Sequence, residues 1–219
     1  ARADDGVNIR GKHILPQGTD QIRRNYGDDA RSEVIIDAAG NILLASCTQS
    51  SDFPVTAGAL QTSFNNGSGT GFQDGVILKY NANLTSLMFA TYFGGNGQDA
   101  CFVIAENPLT GNVYVAGGTT STNLPGDITG VLQPAFNGGA TDGFVTEINS
   151  TGTAIIKTTY QGTNGNDLVY GIEFDNLGFP YIMGTTTGNW PVVNAAFSNT
   201  GAKQFISKLQ PNLSAYVYS

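Results

Sequence analysis

The sequence predicts an all-β protein built from repeated four-stranded antiparallel units. Three observations carry that prediction. Charged residues are 12% of the chain, against the ~25% of ordinary globular domains, while glycine supplies 29 of 219 residues. Short runs rich in Val, Ile, Leu, Phe and Tyr are separated by Asn-Gly and Gly-Asn steps, the pattern of strands joined by tight turns. The chain also repeats itself, with Asp29, Asp99 and Asp167 in register, and no copy shows helical periodicity.

The first strand pair of each copy reads "DDARSEVIIDAAGNILLASCTQSSDFP" (28–54), "QDACFVIAENPLTGNVYVAGGTTSTNLP" (98–125) and "NDLVYGIEFDNLGFPYIMGTTTGNWP" (166–191). Each is followed by "LQTSF", "LQPAF" or "VNAAF", and then by "DGVILKYN", "DGFVTEIN" or "KQFISKLQ". Four strands per unit follow. The first is expected at 31–36, 101–106 and 169–174, and the second at 41–47, 112–117 and 180–184. The third is expected at 75–80, 143–148 and 204–209, and the fourth at 87–92, 154–160 and 214–218. Units span 28–98, 99–166 and 167–219, the last being truncated. Residues 1–27 fit the repeat poorly and form an N-terminal segment that can supply a strand completing a blade.

A four-stranded antiparallel unit repeated along a chain is the mark of a β-propeller, because one such sheet cannot bury both faces until a neighbour stacks on it. The repeat exceeds the ~40–45 residues of a WD40 blade and the ~50 of kelch. The extra length lies between the second and third strands, with room for one helical turn. Closed propellers take ~4–8 blades, so about three units predict part of a larger propeller, completed by other protein segments or copies. The chain is expected to be a fragment.

The motif order at Gly94–Asp99, Ile36–Ala45, Ser50–Pro54, Asp142–Val145 and Ala90–Gly95 resembles the SBBP family of seven-bladed bacterial β-propeller repeats. The resemblance spans about residues 28–219. It departs at Asn189-Trp190-Pro191, at Lys203-Gln204, and in the longer first-unit loop "NNGSGTGFQ". It implies a secreted or cell-surface bacterial protein, often large and linked to adhesion, and no defined reaction.

The net charge is −7. Six of the ten Lys/Arg and five of the seventeen acids lie in residues 1–31, leaving the rest base-poor. Such a surface repels phosphate backbones, which argues against nucleic acid. No apolar run approaches the ~20 residues of a membrane-spanning helix, so membrane insertion is not expected. The opening "ARADDGVNIRGK" carries no visible signal peptide and reads as a processed N-terminus or an internal cut.

The candidate sites recur with the repeat. Asp29, Asp99 and Asp167 open the first strand of each unit, where a carboxylate after glycine accepts backbone N–H bonds. Asp52, Asn123 and Asn189 precede an apolar residue and a proline, the setting of an Asx-turn that anchors Phe53, Leu124 or Trp190. An exposed Trp190 would instead stack on a sugar. Catalytic carboxylates are normally singular, so recurrence favours turns. His13 is the only histidine and has no motif around it, which argues against histidine-based hydrolysis and zinc. Glu33, Glu106 and Glu173 occupy different steps of their strands and predict no paired-carboxylate cluster. "GTGFQDG" (69–75) lacks the lysine of a phosphate loop. Cys47 and Cys101 fall on the same rim of neighbouring units, either as a disulfide between blades or as two buried thiols. No catalytic residue, cofactor or metal is expected.

The function these readings predict is non-catalytic. The chain is expected to be a binding or structural scaffold in a large bacterial surface or secreted protein, with a protein or a glycan as the candidate ligand. The alternative is part of a carbohydrate-binding or carbohydrate-cleaving propeller.

Overall fold

A computed structural model describes residues 8–9, 12–13, 32–65 and 73–219. Two short strands, β1 (Asn8–Ile9) and β2 (Lys12–His13), pair antiparallel with Asn8 opposite His13. The rest of the N-terminal segment 1–27, Asp29 and most of the "NNGSGTGFQ" loop lie outside the described residues.

Three four-stranded antiparallel sheets follow, each a simple meander. The first contains β3 (Glu33–Ile36), β4 (Ile42–Thr48), β5 (Asp74–Tyr80) and β6 (Leu87–Phe93). The second contains β7 (Asp99–Glu106), β8 (Val113–Thr119), β9 (Asp142–Ile148) and β10 (Ile155–Gln161). The third contains β11 (Asp167–Phe174), β12 (Pro180–Thr186), β13 (Gln204–Leu209) and β14 (Tyr216–Tyr218). No helix occurs among the described residues.

Local chemistry fixes the hairpins. Between β3 and β4, Asp37 Oδ1 accepts the N–H groups of Ala39 (2.9 Å) and Asn41 (2.7 Å), an Asx-turn. Asp175 Oδ1 does the same for Leu177 and Phe179 (both 3.0 Å). Between β5 and β6, Asn81 Oδ1 accepts from Thr85 (2.9 Å) and Ser86 (3.0 Å). Asn149 repeats that role with Thr153 and Ala154.

The long connection contains no helical turn in the second or third unit, contrary to expectation. Its backbone pairs with the fourth strand instead. Thr56 N–H donates to Ala90 O (3.1 Å), Tyr92 N–H to Gln61 O (3.2 Å) and Tyr160 N–H to Gln133 O (2.9 Å). Groups bound in this way are not available for bonds four residues apart within a helix.

The sheets bury their apolar faces against each other. One cluster joins Leu43, Ala45 and Ile77 of the first sheet to Ile104, Val115 and Phe144 of the second. Another joins Tyr114, Ala116 and Val145 of the second to Val169, Ile182 and Phe205 of the third. The register slips between Cys101 and Val103 in β7, and between Val169 and Gly171 in β11. Such slips are β-bulges, which re-aim side chains. Phe102 and Tyr170, at these slips, stack with ring centroids 5.5 Å apart.

Candidate functional site

The recurring acids gather where one sheet meets the next. Asp99 N–H donates to Gln73 O, and Asp167 N–H to Thr141 O, both at 2.9 Å. These bonds tie the first strand of each later sheet to the residue preceding β5 or β9. They bring Asp99 beside Asp74, and Asp167 beside Asp142. A Cβ placed on Gly94 would stand 2.7 Å from Asp99 Oδ2 and 2.8 Å from Asp74 Oδ1, so only glycine lets the chain pass between the two carboxyls.

All four carboxyls are buried. Asp99 Oδ2 accepts Gly95 N–H (2.8 Å) and the Ser121 hydroxyl (2.7 Å), and its Oδ1 accepts the Thr119 hydroxyl. Asp167 Oδ2 accepts Thr163 N–H (2.6 Å) and the Thr163 hydroxyl (2.8 Å). Asp74 Oδ2 accepts Asn65 N–H (2.8 Å) and Gln61 Nε2 (3.0 Å). Asp142 Oδ2 repeats this with Asn137 N–H (2.6 Å) and Gln133 Nε2 (3.3 Å).

Burial pushes the Asp99 carboxyl up to about 7, against its three hydrogen-bond donors and with a further push from Asp74. Burial also raises Asp142 to about 7, aided by Asp167. Desolvation and a like charge both favour the neutral acid. Asp99 and Asp142 are therefore the groups poised to hold a proton between sheets. The pairs recur and lie below the surface, and their donors come from the turns, the long connections and, at Thr119, the end of β8. Asp99 and Asp167 are among the acids singled out from the sequence; Asp74 and Asp142 are not. The Asp-Gly step that opens the third strand in the first two units is the signal that could have found them.

The second recurring motif lies on the long connection. Phe53 and Leu124 are buried, and their N–H groups donate to the hydroxyls of Tyr92 and Tyr160 at 3.0 Å. Those hydroxyls donate in turn to Ser50 O (2.7 Å) and Ser121 O (3.1 Å). Asp52 accepts the Ser50 hydroxyl (2.5 Å) and Asn123 accepts Asn96 N–H (2.8 Å). Trp190 is half-buried and stacks on Phe205, with centroids 3.4 Å apart and planes at 5°. Its Nε1–H donates to the Ser207 and Ser219 hydroxyls (3.0 and 2.9 Å). Asn189 lines a groove beside it.

The remaining candidates disperse. Glu33 Oε2 accepts Ile104 N–H of the second sheet (2.7 Å), Glu106 is half-buried and Glu173 is exposed. The side chain of His13 lies outside the described residues. Cys47 and Cys101 are free and buried. Burial pushes the Cys47 thiol up to about 12 and raises Cys101 as well, so neither is a ready thiolate. Among the described residues, no group of three or more His, Cys, Asp or Glu is placed to hold a metal ion.

No protein-family model matches the chain, and no curated protein matches it. The family resemblance therefore stands on the quoted motifs alone.

Proposed function

We propose that the chain is a non-catalytic scaffold: a β-propeller segment of the SBBP type, from a large bacterial secreted or cell-surface protein, whose sheets stack with further sheets of the same repeat. One observation carries this reading. Ile206 is 68% exposed, whereas Ile77 and Val145 at the equivalent positions are fully buried under the next sheet. Met183, its partner across β12 and β13, is 48% exposed, where Ala45 and Ala116 are fully buried. The third sheet thus presents the face that the other two cover. An exposed apolar patch of this kind marks an interaction surface. The recurring polar groups shape turns and junctions, which further supports a scaffold over an enzyme.

Sedimentation of the full chain tests the stacking. The chain is expected to associate with rising concentration, and Met183→Asp with Ile206→Asp to keep it monomeric at an unchanged melting temperature. A wild-type chain that stays monomeric at high concentration counts against the stacking face. Turnover of a glycan substrate that Asp99→Asn abolishes without loss of stability would overturn the non-catalytic assignment.

A further inference from the structure

The sequence contains four Asn-x-Ser/Thr triplets, at Asn66, Asn83, Asn149 and Asn212. Asn66 lies outside the described residues. The other three fall in one place, the turn between the third and fourth strands, once in each sheet. The three turns share a frame. Leu84, Gly152 and Leu213 take left-handed φ values of 58°, 70° and 59°, and each N–H donates at 2.9 Å to the carbonyl three residues back.

The triplet sits on that frame in two ways. In the first and third sheets the asparagine directly precedes the left-handed residue. Asn83 Oδ1 accepts the Thr85 hydroxyl (2.7 Å) and lies 3.4 Å from the Thr85 N–H. Asn212 Oδ1 accepts the Ser214 hydroxyl (2.7 Å) and N–H (3.2 Å). A backbone N–H can only donate, so each carboxamide turns its oxygen toward the turn and leaves Nδ2 outside it. In the second sheet Asn149 stands three places before Gly152. Its Oδ1 accepts the N–H groups of Thr153 (2.8 Å) and Ala154 (3.1 Å), and its Nδ2 donates to the Thr153 hydroxyl (2.9 Å). The Thr151 hydroxyl, the third member of that triplet, bonds to Thr153 and not to Asn149. Exposure follows the same division. Asn83 and Asn212 are exposed, and Asn149 is half-buried. Asn83 stays exposed although the second sheet stacks on the first, so stacking does not cover this position. The turn behind Asn212 is pinned: Leu213 is fully buried, its carbonyl accepts Leu132 N–H (2.8 Å), and Pro211 O accepts the Tyr114 hydroxyl (3.1 Å).

We propose that Asn83 and Asn212 are N-glycosylation sites and that Asn149, which carries the same triplet, is not. Asn-x-Ser/Thr on a surface turn is the acceptor pattern for an N-linked sugar. The donor is a sugar whose anomeric carbon carries a diphosphate, delivered by a transferase. The asparagine Nδ2 bonds to that carbon and gives up one proton. The bond from the carbon to the diphosphate oxygen breaks, and the diphosphate leaves with the electron pair. At Asn83 and Asn212 the amide faces outward and its oxygen is already held by the hydroxyl of the triplet. At Asn149 both ends of the carboxamide are spent inside the hairpin. The inference goes beyond the scaffold reading and does not rest on it, because the acceptors are read from the turns and not from the stacking faces.

The folded full chain is treated in two reactions. One uses UDP-glucose and a soluble transferase specific for Asn-x-Ser/Thr; the other uses a lipid-diphosphate oligosaccharide and a membrane transferase of the same specificity. Site-mapped mass spectrometry is expected to find sugar on Asn83 and Asn212 and at least fivefold less on Asn149, and the productive reaction identifies the carrier of the donor. Free peptides of residues 80–88 and 146–154 are expected to be modified alike, which places the difference in the fold. Thr151→Asn moves the triplet of the second sheet onto the frame of the other two, and sugar is expected at position 151 with an unchanged melting temperature. Protein from its natural source is expected to carry sugar on Asn83 and Asn212. Either asparagine bare in both reactions, or both bare in the natural protein, overturns the proposal. So does a folded Asn149 modified as fully as they are. A 146–154 peptide as inert as folded Asn149 would put the choice in the sequence and not in the turn, and a bare position 151 in Thr151→Asn would deny the frame its role; each overturns the proposal as well.

Discussion

The Cys101 sulfur rests against Gly75, so close that a methyl group on Gly75 would come within 2.5 Å of Sγ. Gly75 pairs with Cys47 in the first sheet, which puts both cysteines at one junction. Gly143 repeats the contact, where an added methyl would lie 2.8 Å from Val169 Cγ2. The Asp-Gly step thus supplies two things at once: a carboxyl for the turn and a bare backbone on which the next sheet seats a side chain.

Gly75→Ala should therefore push the first two sheets apart, at a cost of roughly 1–3 kcal/mol for overpacking. Adding Cys101→Ala should recover part of that loss. Recovery stays incomplete, because Phe93 O at 3.0 Å and Cys101 N at 3.3 Å also crowd the new methyl. A double-mutant cycle in urea checks it. Strict additivity would mean that the sulfur is not what the methyl meets.

The junction carboxyls make stability depend on pH. Asp99 and Asp142 are raised to about 7 in the folded chain, against roughly 4 when unfolded. The folded state holds the extra protons, so this contribution is complete below about pH 4 and is lost as pH rises through 7. Asp37 opposes it. Burial alone would raise that carboxyl, but Lys79 and Asn41 win and lower it to about 2. Its contribution is present above about pH 4 and fades toward pH 2. The urea midpoint should thus be higher at pH 5 than at pH 8. Asp99→Asn with Asp142→Asn should flatten that fall; a fall of the same size in the double variant would assign it to other groups.

Leu84 sits at φ +58° in the turn between β5 and β6, a left-handed conformation that costs a side-chain-bearing residue roughly 1–2 kcal/mol. Gly152 holds the equivalent place in the second unit at φ +70°. The Leu84 side chain is exposed, so little packing is lost with it. Leu84→Gly should stabilise the chain by up to about 1 kcal/mol, read as a higher melting temperature. A lower one would show that the leucine packs on something the turn needs.

The all-β class and the recurring four-stranded unit were legible because each hairpin is specified locally, by Asp37, Asn81 and their counterparts in the other units. The acids of the first strands were likewise visible at Asp99 and Asp167. Their pairing with Asp74 and Asp142 was not. The two members of each pair lie 25 residues apart in sequence, and only the backbone bonds from Asp99 and Asp167 bring them together. The groove beside Trp190 was also hidden. Trp190 and Phe197 align with Phe53 and Phe64, so residue type alone did not set this unit apart. The expected helical turn failed for a related reason: the connection's backbone bonds go to the fourth strand, and no local propensity reveals such a partner.

The base of each hairpin holds a polar pair that the three sheets solve in two ways. In the first, Lys79 Nζ meets Asp37 Oδ2 at 2.7 Å, with both side chains nearly buried. In the third, Lys208 meets Asp175 at 2.7 Å. The second has Asn107 and Glu147 in these places, with Glu147 Oε1 accepting Asn112 Nδ2 at 2.8 Å. Breaking a buried ion pair on one side strands the other charge. Lys79→Met should therefore cost roughly 2–3 kcal/mol, less than the fullest penalty because Asn41 and Ala39 still donate to Asp37. Asp37→Asn with Lys79→Glu imports the second sheet's arrangement, since Asn41 stands where Asn112 does and can donate to the new carboxylate. That double variant should be more stable than Lys79→Met alone, as measured by urea unfolding at pH 7. If it proves the less stable of the two, the pair is fixed by its surroundings in the first sheet and not by the hairpin that the sheets share.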